Sequence, residues 1–258
     1  MNILEKIIQQ KKAEIAVHKK MGLLAFLGQE SHQPISLKQA LNKSQTGIIA
    51  EFKRKSPSKG WIFPEANVKT ITNAYARAGA TGISVLTDES FFGGSIADLK
   101  QARPEVSIPI LNKDFIIDPF QIDVAKAIGA DVILLIAAAL TKETCIQLTD
   151  KAHKAGLEVL LEIHEEAELE YLHSNIDMVG INNRNLKTFI TDVETSFRLG
   201  EKIPTEFIKI SESGISDPPT VKALRAAGFK GFLMGEAFMK TDDPANVLSQ
   251  FIASLKQQ

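Results

Sequence analysis

Cysteine is nearly missing: Cys145 is the only one in 258 residues. A lone thiol excludes an internal disulfide and any multi-cysteine zinc or iron–sulfur site. Cys145 falls inside a predicted helix, so it reads as a packed thiol and not as a nucleophile. An excess of one charge is missing too. Thirty Lys+Arg stand against 31 Asp+Glu, a formal net charge of −1. That balance gives no electrostatic reason to expect nucleic acid or an acidic membrane surface as a partner. Long apolar runs do not occur. The longest, Val132 to Leu140, has nine residues, against the roughly 20 that a membrane-spanning helix needs. The N-terminus meets Glu5 and Lys6 after two strongly apolar residues, so no signal-peptide core is read there. The histidines His18, His32, His153, His164 and His173 form neither H-x-x-x-H nor H-E-x-x-H. Glu162 and His164 share one parity, but no third metal ligand is evident. No Walker loop, no G-x-G-x-x-G and no G-x-S-x-G elbow is present. The expectation is a soluble, cytoplasmic protein with no metal, no cofactor, no nucleic-acid partner and no membrane partner.

What is present is rhythm. Residues 1–46 read as an extension. Ile3, Leu4, Ile7, Ile8 and Ile15 share one helical face, with Lys11, Lys12, Lys19 and Lys20 placed elsewhere. A helix packed on the rest of the protein is favoured over a membrane role, because Glu5 and Glu14 dilute the basic charge. A second short helix is predicted over Leu37 to Leu41, with Ser36 as N-cap. From residue 47 short apolar runs alternate with amphipathic segments. The runs are Gly47–Lys53, Gly82–Thr87, Pro109–Lys113, Asp131–Ala137, Glu158–Ile163, Met178–Asn182, Phe207–Ser211 and Gly231–Met234. Helical periodicity marks Val68–Ala78, Lys142–Ala155 and Thr220–Ala227. Glycine follows alanine or isoleucine in the turns at Gly79, Gly129, Gly156 and Gly228, where a left-handed helix C-cap fits. Eight βα units spaced about 25 residues apart predict a parallel α/β architecture, the (β/α)8 TIM barrel with an N-terminal helical extension. An open doubly wound sheet is the alternative, but its phosphate-binding glycine fingerprint is absent. The chain is expected to form one domain over 1–258, with 1–46 the extension and 47–258 the barrel.

In such barrels chemistry gathers at the C-terminal ends of the strands. The first strand ends with Glu51 and Lys53, two apart and so on the same face. The third ends with Lys113, the fifth carries Glu162, the sixth ends with Asn182 and Arg184, and the seventh and eighth end with Glu212 and Glu236. Any one of these alone reads as a solvated rim residue. Together they place two lysines and four glutamates in one small volume, which suits acid–base chemistry on a carbonyl compound. Ser213-Gly214-Ile215 and Gly235-Glu236 end the last two strands, where barrels frequently bind phosphate. Ser56-Pro57-Ser58-Lys59-Gly60 reads as a mobile lid over the mouth, and Trp61 after it as a packing residue.

The stretch Ile49–Gly60 closely resembles the signature of the indole-3-glycerol phosphate synthase family. So do Ser84-Val85-Leu86-Thr87-Asp88, Phe92-Gly93-Gly94-Ser95, Lys113-Asp114-Phe115-Ile116, Leu161-Glu162-Ile163-His164, Gly180-Ile181-Asn182-Asn183-Arg184-Asn185-Leu186 and Ser211-Glu212-Ser213-Gly214-Ile215. The resemblance covers the whole chain. It implies a carboxy-lyase of tryptophan biosynthesis that closes the indole ring of 1-(2-carboxyphenylamino)-1-deoxyribulose 5-phosphate, with loss of carbon dioxide and water. It implies that Lys113 is the general acid, Glu162 the acid or base of the dehydration, Lys53 and Glu51 an orienting pair, and Asn182 the holder of the intermediate hydroxyl. Arg184 and Ser56 resemble contacts of the substrate carboxylate or closed loop. Phe115 resembles an aromatic wall. Glu212 resembles a substrate contact, and Ser213, Gly214, Gly235 and Glu236 resemble the phosphate site. The expected partner is this phosphorylated small molecule, bound by a monomer or weak homo-oligomer. Lysine and glutamate at close range each favour the other's charged form, whereas a lysine amid other cations can have a lowered pKa. Three positions depart from the pattern: Asn112 stands where arginine is expected, Lys55 where a small residue is usual, and Glu236 where a small polar residue is common. Two rivals stand beside this reading, a Schiff-base aldolase using Lys53 or Lys113 and a barrel that only binds a phosphorylated ligand.

Overall fold

Eight parallel strands close on themselves: β1 (Ile48–Phe52), β2 (Gly82–Leu86), β3 (Ile110–Lys113), β4 (Val132–Ile136), β5 (Glu158–Ile163), β6 (Met178–Asn182), β7 (Ile208–Glu212) and β8 (Phe229–Met234). This computed structural model describes residues 2–28, 32–186 and 188–256. Closure is explicit in the register, where Ala50 of β1 pairs with Met234 of β8 on one side and Ile83 of β2 on the other. The architecture is a (β/α)8 barrel, and the open sheet is ruled out. Each strand begins and ends within two residues of its apolar run, because those runs are buried on both faces.

Two apolar clusters follow from strand alternation. Ile49, Leu111, Leu134, Leu160, Met178, Ile210 and Leu233 fill the barrel interior. Ile48, Ala50, Ile83, Val85, Ile133, Leu161 and Val179 face the surrounding helices. Each single-residue step along a strand switches the face, so a polar residue with interior parity points into the barrel. Near the C-terminal ends of the strands, the interior positions pass from Leu and Ile to Glu, Lys and Asn.

The helices follow their sequence signals. One spans Val68–Ala78 and another Lys142–Lys154, and Pro218–Ala226 starts two residues earlier than its periodicity suggests. Pro218 and Pro219 fill the first positions, where no N–H is needed, and Asp217 caps them. All four glycines of the helix-to-strand turns have positive φ.

The extension contains three helices, α1 (Ile3–Lys20), α2 (Leu23–Leu27) and α3 (Leu37–Lys43). α2 is short and has no polar–apolar period long enough to read, and it was not foreseen. α3 has the Ser36 cap, which accepts from Gln39 N at 3.0 Å. Its Leu37 and Leu41 plug the N-terminal end of the barrel. A β-carbon on Gly82 would come within 2.8 Å of Leu37, and one on Gly231 within 3.3 Å of Leu41. α1 instead crosses the opposite end, bringing Ile3 and Ile7 to the barrel mouth. Lys11 corrects the helical reading. It is buried with Ile7 and Ile15 and not out with the other lysines. Positions 7, 11 and 15 are four apart and stack on one face. Lys11 Nζ lies 2.9 Å from Glu14, 3.0 Å from Asp88 and 2.9 Å from Asp114. No helix among the described residues is long and apolar enough to cross a membrane.

Candidate active site

A cavity of about 550 Å³ opens at the C-terminal ends of the strands. Glu51, Lys53, Ser56, Lys113, Phe115, Glu162, Asn182, Arg184, Glu212, Ser213, Gly214, Gly235 and Glu236 all line it. The charged ones come from different strands, and closure of the barrel brings them together. Lys113 Nζ donates to Glu162 Oε2 at 2.7 Å and to Glu212 Oε2 at 2.8 Å. Lys53 Nζ lies 2.5 Å from Glu51 Oε1. Asn182 hydrogen-bonds Glu162 through its side chain and accepts from Arg184 N at 3.0 Å.

Glycine makes room for two of these carboxylates. A β-carbon at Gly180 would lie 2.2 Å from Glu212 Oε1, and one at Gly235 2.6 Å from Glu51 Oε1. Gly180→Ala should therefore displace the Glu212 carboxylate and weaken its hold on Lys113. Steady-state assays should show a fall of roughly 10- to 100-fold in kcat, with the fold retained by circular dichroism. Unchanged kinetics would mean that Glu212 can swing aside at no functional cost.

The electrostatics differ from the expectation of a lysine among cations. Burial alone would push the Lys113 ammonium toward its neutral form. Glu162 and Glu212, with Glu51 behind them, outweigh burial and hold its pKa above the ordinary lysine value. Its close neighbours are carboxylates because Lys53 is already occupied by Glu51. Burial likewise works to raise Glu162, but Lys113 and His164 draw it well below the usual carboxylate range. Glu212 goes the other way, to about 7, as burial and repulsion from Glu162 exceed the attraction of Lys113. Two carboxylates share one ammonium, so the trio titrates as a unit.

One wall is apolar. Ile7, Phe92, Phe115, Leu134 and Ile136 line it, with the Phe92 and Phe115 rings 6.0 Å apart. Ser56 is buried on this cavity, and its Oγ has no hydrogen-bond partner among the described residues. At the end of β7, Ser213 has φ +67° and Gly214 has φ +75°. A left-handed serine is strained, and here it turns the chain sharply at the cavity edge. Gly235 opens the short helix Glu236–Met239.

The loop after β1 has structure of its own. Lys55–Ser56 and Gly60–Trp61 pair as a small antiparallel hairpin. Arg54 fixes its base through a two-pronged contact with Asp98, at 2.7 and 2.8 Å. Lys55 donates to Ser90 O at 3.0 Å and lies over the Trp61 ring. Trp61 packs one face against Gly93, but 58% of it is exposed. Arg184 donates to Ser58 Oγ at 2.6 Å, and Lys59 Nζ lies 2.8 Å from Glu236 Oε1. Burial raises the Glu236 carboxyl, but its contact with Lys59 outweighs this and holds it low. Its charge is thus tied to the loop. Asn112 is buried and donates to Thr87 Oγ1 at 2.8 Å, and it faces away from the cavity. Cys145 is buried, and burial pushes its thiol up to about 11, which suits a packed side chain. Ile3, Ile7 and the contact of His164 with Glu162 were missed from the sequence. The parity of Glu162 and His164 was the available signal for the last of these.

The family model described as indole-3-glycerol phosphate synthase matches residues 4–251. The indole-3-glycerol phosphate synthase of Bacteroides thetaiotaomicron is 54% identical over 259 residues, covering 99% of each chain. That of Bacillus cereus is 46% identical and covers 92% of each chain. Among solved structures, tryptophan synthase subunit alpha from Legionella pneumophila superposes with a TM-score of 0.60, covering 86% of this chain and 97% of that one. At 14% identity this likeness concerns the fold alone.

Proposed function

The chain belongs to the indole-3-glycerol phosphate synthase family, and we propose that its barrel mouth closes the indole ring of 1-(2-carboxyphenylamino)-1-deoxyribulose 5-phosphate. The ring carbon bearing the carboxylate attacks the ketone, carbon dioxide leaves, and water is then eliminated. The observation that carries this reading is one ammonium, Lys113, held at 2.7 and 2.8 Å between two buried glutamates. It stands beside the apolar wall of Ile7, Phe92, Phe115, Leu134 and Ile136. Residues 1–258 act together in this reading, because the extension supplies both the barrel floor and part of that wall.

Attack on the ketone puts negative charge on its oxygen. Lys113 gives that oxygen a proton as it becomes an alkoxide. The raised pKa of Lys113 does not forbid this, because a developing alkoxide is a stronger base than a lysine amine. The same raised pKa argues against a Schiff-base aldolase that uses Lys113, which would need a neutral amine nucleophile. Glu162, ionised in the free enzyme, takes the carbon-bound proton during dehydration. The Glu51–Lys53 pair orients the sugar hydroxyls and assists the departing oxygen, and Asn182 holds the intermediate hydroxyl. Ser56 and Arg184 bind the substrate carboxylate or keep the loop over it. Glu212 steadies Lys113. Phosphate is held by backbone N–H groups around Ser213, Gly214 and Gly235. The carboxylate of Glu236 is neutralised by Lys59, which limits its repulsion of the phosphate.

The test is direct. Purified protein is given the carboxyphenylamino substrate, and the indole product is followed by fluorescence. Turnover is expected, and Glu162→Gln should lower kcat by about 10² or more. Folded protein without turnover would overturn the activity. Full activity in the variant would remove the role of Glu162.

A further inference from the structure

Beside Glu162 lies a histidine to which none of the roles above is assigned. His164 is two residues beyond Glu162 and so shares its parity, but it does not line the cavity. Its side chain is 9% exposed. Nε2 lies 3.3 Å from Glu162 Oε1, and Nδ1 lies 3.7 Å from Glu168 Oε2. Glu168 belongs to the 3-10 helix Glu166–Tyr171, and its carboxylate is pinned by the backbone N–H of His164 at 2.5 Å and of Glu165 at 3.4 Å. The imidazole therefore stands between two carboxylates, one at each ring nitrogen. Neither ring nitrogen has a hydrogen-bond partner among the described residues, so the two carboxylates act on the ring through charge. The arrangement favours the charged ring.

The remaining charges around the ring come from neighbouring strands. Glu212 of β7 adds a third negative group, and Lys113 of β3 lies across Glu162 on its far side. Burial opposes charging of the ring, but the three carboxylates prevail and its pKa is raised. Glu162 is thus flanked by two cations, Lys113 at one oxygen and His164 at the other.

The proposed reaction makes that second cation useful. The substrate carboxylate leaves as neutral carbon dioxide and the ketone oxygen leaves as water, so each turnover consumes one proton. Glu162 must begin the dehydration ionised, although it is buried. We propose that His164 is a positioning residue that holds Glu162 ionised and sets the pH at which Glu162 takes up a proton. The inference rests on the activity proposed above for its kinetic consequence, but not for the coupling itself.

Two measurements test it. In the first, the ring C2–H signal of His164 is titrated by NMR in the wild-type protein and in Glu162→Gln. Neutralising Glu162 should lower the His164 pKa; coincident titrations would overturn the proposal whether or not the protein is an enzyme. In the second, kcat is followed against pH for the wild type and His164→Asn. Loss of the cation should raise the Glu162 pKa and move the acid limb upward by about one unit. That is a roughly tenfold loss on the limb and none on the plateau. A merely structural role would lower kcat equally at every pH, and that result, or superimposed profiles, would also overturn the proposal. Absence of turnover in the wild type would sink the activity while the NMR titration still decided the coupling.

Discussion

Lys113→Met should lower kcat by on the order of 10³-fold, within the range lost when a general acid is removed. Methionine keeps much of the side chain's length and can fill its place on the cavity floor. What disappears is the proton donor, together with the charge that Glu162 and Glu212 share at 2.7 and 2.8 Å. Without the ammonium, two buried carboxylates face each other, and at least one takes up a proton at neutral pH. The base of the dehydration is then weakened along with the acid of the ring closure. Lys113→Arg separates the two effects. Arginine restores the positive charge but does not release its proton in a protein. If proton donation is what matters, the arginine variant should remain within about tenfold of the methionine variant. If charge alone mattered, arginine would restore most of the rate. Single-turnover measurement of carbon dioxide release and of indole formation would show which step each variant slows.

That prediction could be framed from the sequence because period-two alternation decides which strand residues face the barrel interior. Lys113, Asn182 and Glu212 end strands, and Glu162 stands one residue before the end of its own; the limits of those strands were readable to within a residue or two from Ile, Val and Leu runs. The cavity follows from closure, since in a barrel all interior-facing strand ends converge. The pairings across the mouth were not readable. Register around the closed sheet decides that Lys113 meets Glu162 and Glu212, and no local pattern encodes that register; only the Glu51–Lys53 pair, two apart on one strand, was readable. The expected fall in a lysine pKa failed for this reason: the composition of the mouth was right, but the partners were not. Glu236 shows the same limit. Its carboxylate looked misplaced beside phosphate until the hairpin brought Lys59 to it. His164 lay in plain view at the right parity, but only the three-dimensional path of the chain after β5 brings Glu168 to its other nitrogen.

Lys11→Met should destabilise the protein by about 3–5 kcal/mol, the cost of breaking a buried ion pair by removing one partner. Of the charges left behind, Asp88 is 1% exposed and out of reach of water, while Asp114 and Glu14 are partly exposed. Asp88 and Asp114 keep other donors. Asp88 accepts from the N–H groups of Phe91 and Phe92, and Asp114 from Thr87 and the N–H of Phe115. None of these donors carries a full positive charge. The folded pKa of Lys11 is raised, since the attraction of Asp114 and Asp88 overcomes burial. A raised folded value means that the stabilisation is complete below the unfolded lysine pKa and is lost only as pH climbs through the folded one. At neutral pH the whole contribution is present. At the other end Glu14 is held low against burial by its contact with Lys11. Its share is present above the ordinary carboxylate pKa and fades as pH falls through its lowered folded value. Urea denaturation of the wild type and the variant should therefore differ by a constant amount from neutral pH to mildly alkaline pH, and by less in acid. Asp114→Asn added to Lys11→Met should recover part of the loss, because it removes one stranded charge while its amide oxygen still accepts from the Phe115 N–H and its NH2 can donate to Thr87 Oγ1. Equal stability of the single variant and the wild type would show that α1 is held by Ile7 and Ile15 alone, with Lys11 contributing no more than a surface lysine would.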